Sequence, residues 1–206
     1  MSESAMRILR GHRVPTVLIN ARADAGWACV NVDDEAGTVA AMRHLYDLGH
    51  RRIAYYGGEQ PPHPSVIVRA ASYQRFMRDA GLVPDEPFTG SVESFAERIG
   101  RGGAFPATAV LTFDHRPAIA LLHQFWRRGV RVPDDVSLVT FNDTYPVDQL
   151  TPPLTVVGLP VRDIADNAVR LLMDRISGAH PAHAKETVLL DERLIVREST
   201  AAPSNA

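Results

Sequence analysis

Asn142 and Asp143 close a short apolar run, Val136 to Phe141, that reads as a strand bounded by turn formers. An asparagine amide both donates and accepts hydrogen bonds and carries no charge, and a carboxylate accepts. In an open parallel sheet the carboxyl ends of the strands are where ligands bind. Asparagine is also an ordinary turn former at a strand end, and Asp143 reads as the structural member of the pair. Two further segments end in comparable chemistry. "TVLIN" stops at Asn20, and "TAVLTFD" stops at Phe113 and Asp114. Phe113 offers a flat apolar face, whereas Asp114 suits the cap of the helix that follows it.

These residues lie on a chain that alternates strand and helix almost throughout. Strands read at 16–20, 29–34, 51–58, 108–114 and 136–141. A short strand reads at "EPFTG", and helices read at 34–50, around 67–80, near 94–99, and at 115–129 and 161–178. Gly129, with Arg127 and Arg128 before it and Pro133 after it, ends one helix and keeps it from resuming. "QLTPPLTVVGLP" reads as extended. "ETVLLDERLIVREST" reads as two short strands, a hairpin turning at Asp191 and Glu192, and "AAPSNA" (201–206) as a disordered tail. Such alternation predicts an α/β fold with parallel sheets covered by helices on both faces. One more helix and strand pair follows the crossing at 154–160, which points to two lobes joined by several crossings, with a ligand cleft between them.

Composition narrows the function. The chain has 206 residues, 45% of them hydrophobic, and a net charge of −2, so nothing draws it globally to nucleic acid or anionic lipid. Cys29 is the single cysteine, which excludes an internal disulfide and a thiolate cluster. "MSESAMRILRGHRVP" holds no apolar core of a signal peptide and no run approaches membrane-spanning length, so a cytoplasmic protein is expected. The acids "DDE" (33–35) read as helix-cap residues rather than a metal or acid pair. "HPAH" (180–183) lacks metal-ligand spacing, and Gly57-Gly58 and "GRGG" (100–103) match no phosphate loop. No nucleophile elbow is present. Enzymatic activity, a cofactor and a metal are therefore not expected.

Four phrases in order, "LGHRRIAYYGG", "RRGVRVPDDVSLVTFND", "LTPPLTVV" and "ERLIVREST", resemble the effector-binding domain of lac repressor family regulators (LacI/GalR type) over about Val14 to Thr200. The resemblance implies two Rossmann-like lobes of the periplasmic-binding-protein-like type I fold. The first lobe would comprise 1–32 and 161–188, the second 33–160 and 189–200. It implies a small-molecule effector between the lobes, most simply a sugar, whose binding changes lobe closure and, in a homodimer, the spacing of two DNA-binding headpieces. It also implies that operator DNA is reached only through a headpiece absent from this chain, whose first lobe would be incomplete at its N-terminus.

The resemblance also assigns site residues. Arg69 matches an arginine that hydrogen-bonds ligand oxygens in the family, although its spacing alone favours a solvated residue in the first turn of a helix. Asn142 stands where many relatives carry an aspartate, and Asn20 is expected to face it from the other lobe. Phe113 would stack on a sugar ring, Asp114 sits beside it, and Ser65 is a rim candidate. Val92 is a poor match for an aromatic contact of the family, which leaves the apolar wall to Phe113 or Tyr145. Loss of preceding strands would leave "TVLIN" and "CVNVDD" without parallel neighbours and the first lobe marginally stable. A solute-binding protein of the same fold and a Rossmann-like enzyme are the rival readings. Only the former turns on a signal peptide.

Overall fold

A computed structural model describes residues 7–9, 14–21, 27–58, 63–99, 106–179 and 185–204. "GRGG" and "HPAH" lie outside them, as do Arg10 and Arg13. In chain order the elements are β1 (Val17–Ile19), β2 (Ala28–Val32), α1 (Asp34–Asp47), β3 (Ile53–Tyr56), α2 (Pro64–Asp79) and α3 (Val92–Ile99). There follow β4 (Ala109–Thr112), α4 (His115–Arg127), β5 (Ser137–Phe141), β6 (Thr155–Gly158), α5 (Val161–Ile176), β7 (Glu186–Leu190) and β8 (Arg193–Ile195). They form two compact units, Met1–Asp33 with Pro160–Asp191, and Asp34–Leu159 with Glu192–Ala206. Among the described residues no helix is long and apolar enough to cross a membrane.

The first unit holds a sheet in the order β1-β2-β7, with both pairings parallel. Leu171 of α5 packs on Ala28 and Val30 of β2, and Val17, Val188 and Leu190 close round them. Two expectations are corrected here. β7 and β8 do not form a hairpin: β7 pairs with β2, whereas β8 pairs antiparallel with β6 in the other unit. The turn at Asp191 and Glu192 is instead a crossing between units, and a boundary at 188–189 would cut β7 in two. For the same reason "CVNVDD" is not stripped of neighbours, since β2 is flanked on both sides by parallel strands. Of the two strands, only β1 lies at an edge, and β7 forms the other edge among the described residues of this sheet.

The second unit carries five strands in the order β3-β4-β5-β6-β8. Four of them are parallel and buried on both faces, so they read as continuous apolar runs. Alternation at period two still sorts their side chains. Ala54, Tyr56, Val110, Leu138 and Val156 meet α3 and α4 on one face. Ile53, Tyr55, Leu111, Val139, Phe141 and Val157 meet α1 and α2 on the other. α1 buries Asp34, Gly37, Thr38, Ala41, Met42 and Leu45, which is one helical stripe. α2 begins earlier than its apolar periodicity predicts, because Pro64 starts the helix and His63 accepts from the Ser65 amide as its cap.

The C-terminal segment departs from a disordered tail over its described residues. The Ser199 carbonyl accepts from Leu138 N (2.8 Å), and Ser199 Oγ donates to the Leu138 carbonyl (2.6 Å). Ala201 N donates to Ser137 Oγ (3.0 Å), and the Ala201 carbonyl lies 2.9 Å from His50 Nε2. Ser204 Oγ donates to the Asp134 carbonyl. His50, 1% exposed, also reaches Thr108 Oγ1 at 2.9 Å through Nδ1, so this knot sits at the amino ends of β3, β4 and β5. The opposite edge of the sheet is left for the site.

Candidate functional site

β3 is the strand at which the chain changes direction across the sheet. On one side it pairs with β4, and on the other Tyr56 forms a parallel bridge with Phe88. The chain leaves β3 through α2 on one face, reaches Phe88, and returns to β4 through α3 on the opposite face. Connections that diverge in this way open a crevice at the carboxyl ends of the two strands. Gly57 and Gly58 follow β3 there, and Phe113 and Asp114 follow β4. Gly58 has φ +90°, and a Cβ on it would stand 2.8 Å from Phe113 Cε1, so only glycine lets the two loops approach this closely.

Beside the crevice, Asn142 ends β5 with φ 72°, a left-handed conformation that asparagine tolerates better than most residues. Its amide nitrogen donates to the Val157 carbonyl (2.9 Å), and its Nδ2 donates to Asp114 Oδ2 (2.7 Å). A carboxylate only accepts, so this contact fixes which end of the amide is nitrogen and leaves Oδ1 as an acceptor without a partner among the described residues. Asp114 caps α4, accepting from Arg116 N (3.1 Å) and Arg116 Nε (3.2 Å), with His115 Nδ1 at 3.4 Å. Burial alone would push its carboxyl upward. The Arg116 amide, Asn142, the Arg116 side chain and His115 together hold it below the usual carboxylate range, so it stays ionised. Asp143 pairs with Arg197 at 2.8 Å.

Arg69 is not the solvated arginine that its spacing alone predicts. It is 4% exposed, and Nε donates to Asp34 Oδ1 (2.7 Å), Nη1 to the Phe113 carbonyl (2.8 Å) and Nη2 to Glu192 Oε1 (3.3 Å). The guanidinium also lies 3.8 Å from the centroid of the Phe141 ring. Gly37 admits the Glu192 carboxylate. A Cβ there would collide with Glu192 Oε2 and would stand 2.9 Å from Val157 Cγ1. Two carboxylates therefore surround one guanidinium in a desolvated cluster. Asp34, read from sequence as a helix-cap acid, spends its carboxylate on Arg69, and Glu192, read as a hairpin residue, does the same. Neither is local to Arg69: the partners lie 35 and 123 positions away in the chain.

The second unit thus brings together Arg69, Phe113, Asp114 and Asn142, with Ser65 buried one turn before Arg69 on α2. Phe113 is half-buried, and its ring packs against the core on both faces of the sheet. Tyr145 is 74% exposed, and Val92 packs against the core of the α3 and α4 face. Asn20 belongs to the first unit. It ends β1 with φ 51°, and its amide donates to the Val30 carbonyl (3.0 Å). Asn31, which sequence reading passed over, braces the turn after it by bonding both Ala21 N (3.0 Å) and the Ala21 carbonyl (2.8 Å). Among the described residues no three His, Cys, Asp or Glu are grouped to hold a metal ion.

A parallel sheet with its polar groups gathered at a switch in strand order defines a binding domain. Residues 42–200 match the family model described as "Periplasmic binding protein-like domain". A LacI family transcriptional regulator from Mycobacterium smegmatis is 30% identical, with a TM-score of 0.79 and coverage of 97% of this chain and 74% of that one. The chain belongs to the lac repressor (LacI/GalR) family of transcription regulators. The HTH-type transcriptional repressor CytR of Escherichia coli (strain K12) is 30% identical over 179 residues, covering 84% of this chain and 52% of CytR. The structure of the transcriptional regulator CelR in complex with cellobiose is 26% identical, with a TM-score of 0.75 and coverage of 96% of this chain and 69% of that one. The chain spans between about half and three fifths of the length of the curated relatives it matches.

Proposed function

We propose that this chain senses a small polar effector, a sugar or sugar derivative, on behalf of a LacI-type transcription regulator. The carrying observation is the Asn142 and Asp114 pair at the carboxyl ends of β5 and β4, beside the buried Arg69. Asn142 Oδ1 accepts from a ligand hydroxyl, and the ionised Asp114 has lone pairs beyond those its present donors occupy. Phe113 supplies the apolar edge of the crevice and Ser65 its rim, and Asn20 is a further ligand contact in this reading. The likeness to a regulator that binds cellobiose supports a carbohydrate.

In this reading the chain is not an enzyme: the polar groups at the carboxyl edge of the second sheet bind one another and a ligand. Effector binding shifts a conformational equilibrium in a homodimer, and operator DNA is contacted through a headpiece of the helix-turn-helix kind, as in the HTH-type repressors it resembles. Such a regulator works in the cytoplasm. Calorimetry of the chain with D-ribose, D-glucose, D-galactose and cellobiose tests the reading. Asn142→Gly keeps the backbone conformation and removes the side chain, and it should weaken whichever sugar binds by about tenfold, the worth of one lost hydrogen bond. Unchanged affinity in a folded variant would remove Asn142 from the site.

A further inference from the structure

The amino edge of the second sheet, at the far end from the crevice, carries a device of its own. Ser199 is buried and fills the gap between β5 and β6: its carbonyl accepts from Leu138 N, and its Oγ accepts from Thr155 N (2.8 Å). Beyond it, Thr200 to Ser204 carry no charged side chain. Two imidazoles, one on α1 and one just after it, hold this stretch. His44 Nε2 stands 3.0 Å from Thr200 Oγ1, and His50 Nε2 stands 2.9 Å from the Ala201 carbonyl. Pro203 packs over the turn between the two rings, where a Cβ on Gly49 would stand 3.6 Å from Pro203 Cδ. We infer that residues 200–204 form an acid-released clasp, docked while His44 and His50 are neutral and let go, with Ser199 still in place, when they take up protons.

A carbonyl only accepts, so Nε2 carries the proton of the neutral His50 ring and Nδ1 accepts from Thr108 Oγ1 (2.9 Å). A second proton makes Nδ1 a donor and turns the Thr108 hydroxyl toward the Arg52 carbonyl at 3.3 Å. The bonds survive, but the new charge is shut away from water beneath the clasp, and undocking hydrates it. Arg51, whose guanidinium bonds the Tyr46 and His50 carbonyls, repels that charge, and so does His44. Asp47 draws a proton toward His44, yet burial of that ring outweighs it. Asp134 and Asp135 are turned to Arg131, and Arg197 is turned to Asp143. Arg43, Arg52 and Glu198 are exposed, where solvent screens them. The docked segment therefore leaves both rings less ready to bind a proton than the open one. Docking is complete above their ordinary value of 6.5 and is lost as pH falls from there toward the lower docked values.

Amide hydrogen exchange of the 206-residue chain between pH 7.5 and pH 5.5 tests the clasp, read as protection factors at three amides. Ala201 N donates to Ser137 Oγ and reports the clasp, Leu138 N reports the Ser199 anchor, and Leu111 lies on a central strand. Protection at Ala201 should fall by up to about tenfold for each histidine over this range, while Leu138 and Leu111 keep theirs. His44→Gln combined with His50→Gln puts an amide donor near each Nε2 and takes up no proton, so protection at Ala201 should then stay level with pH. If melting shows that double variant unfolded, His44→Gln alone, on the less buried ring, should remove its share of the fall. Level protection at Ala201 in the parent overturns the inference. So does a fall shared by all three amides, which is global unfolding, and so does a fall that the substitutions leave unchanged.

Discussion

Arg69 Nε lies 2.7 Å from Asp34 Oδ1, and Asp34 is the residue at which the chain first enters the second unit. Glu192, on the same guanidinium, is the residue at which the chain enters it for the last time. One side chain on α2 therefore anchors the ends of two of the segments that join the units. The ion cluster is buried, so its worth lies in what happens when it is broken. Removing one member of a buried pair leaves charge without solvent or partner.

Arg69→Ala should lower the unfolding free energy by about 3–5 kcal/mol, because it removes the guanidinium from two buried carboxylates at once. Urea denaturation of the variant and the parent measures it. Arg69→Lys should fall between them, since one ammonium cannot span the three acceptors that the planar fork reaches. A loss below about 0.5 kcal/mol for alanine would show that the cluster has no structural role.

Gly37→Ala should destabilise although alanine is the better helix former. The gain in helix propensity is about 1 kcal/mol, and overpacking a filled core costs about 1–3 kcal/mol. The obstacles are Glu192 Oε2, held in place by Arg69, and Val157 Cγ1 on a central strand. Thermal unfolding should show a lower midpoint. A raised midpoint would mean that the Glu192 carboxylate moves freely.

Stability should fall as pH drops below about 6.5 because of His50. Burial pushes its imidazole below its ordinary value of 6.5, outweighing the upward pull of the Ala201 carbonyl, and His44 and Arg51 add repulsion. The folded state thus binds the proton less readily than the unfolded chain. The contribution is complete above 6.5 and is lost as pH falls from there toward the folded-state value. His44, also lowered by burial against the pull of Asp47, acts in the same direction. Melting temperatures between pH 8 and pH 5 should decline at the acid end. His50→Gln should flatten that decline, and an identical profile in the variant would assign the effect elsewhere.

What the sequence made legible was local. Asp114 was readable as the cap of α4, and it is, because a cap and its helix are neighbours in the chain. Asn142 was readable as a strand end for the same reason. The environment of Arg69 was not, because Asp34 and Glu192 reach it from opposite ends of the second unit's sequence. Glu192 carried a signal only within the phrase "ERLIVREST", where its family resemblance was clear and its partner was not. β7 and β8 show the same limit: two strands separated by two residues look like a hairpin until pairing partners 158 residues upstream claim one of them.

The most direct test of the account is an amide NMR titration of the chain with D-ribose, D-glucose and cellobiose. For a sugar that binds, saturable shifts should concentrate at Gly58, Ser65 to Arg69, Phe113 to Arg116 and Asn142 to Thr144, the carboxyl edge of the second sheet. His50, Thr108 and Ser137, at the amino edge, should stay unmoved. Saturable shifts centred on those amino-edge residues, or no saturable shift with any of the three sugars, would contradict it.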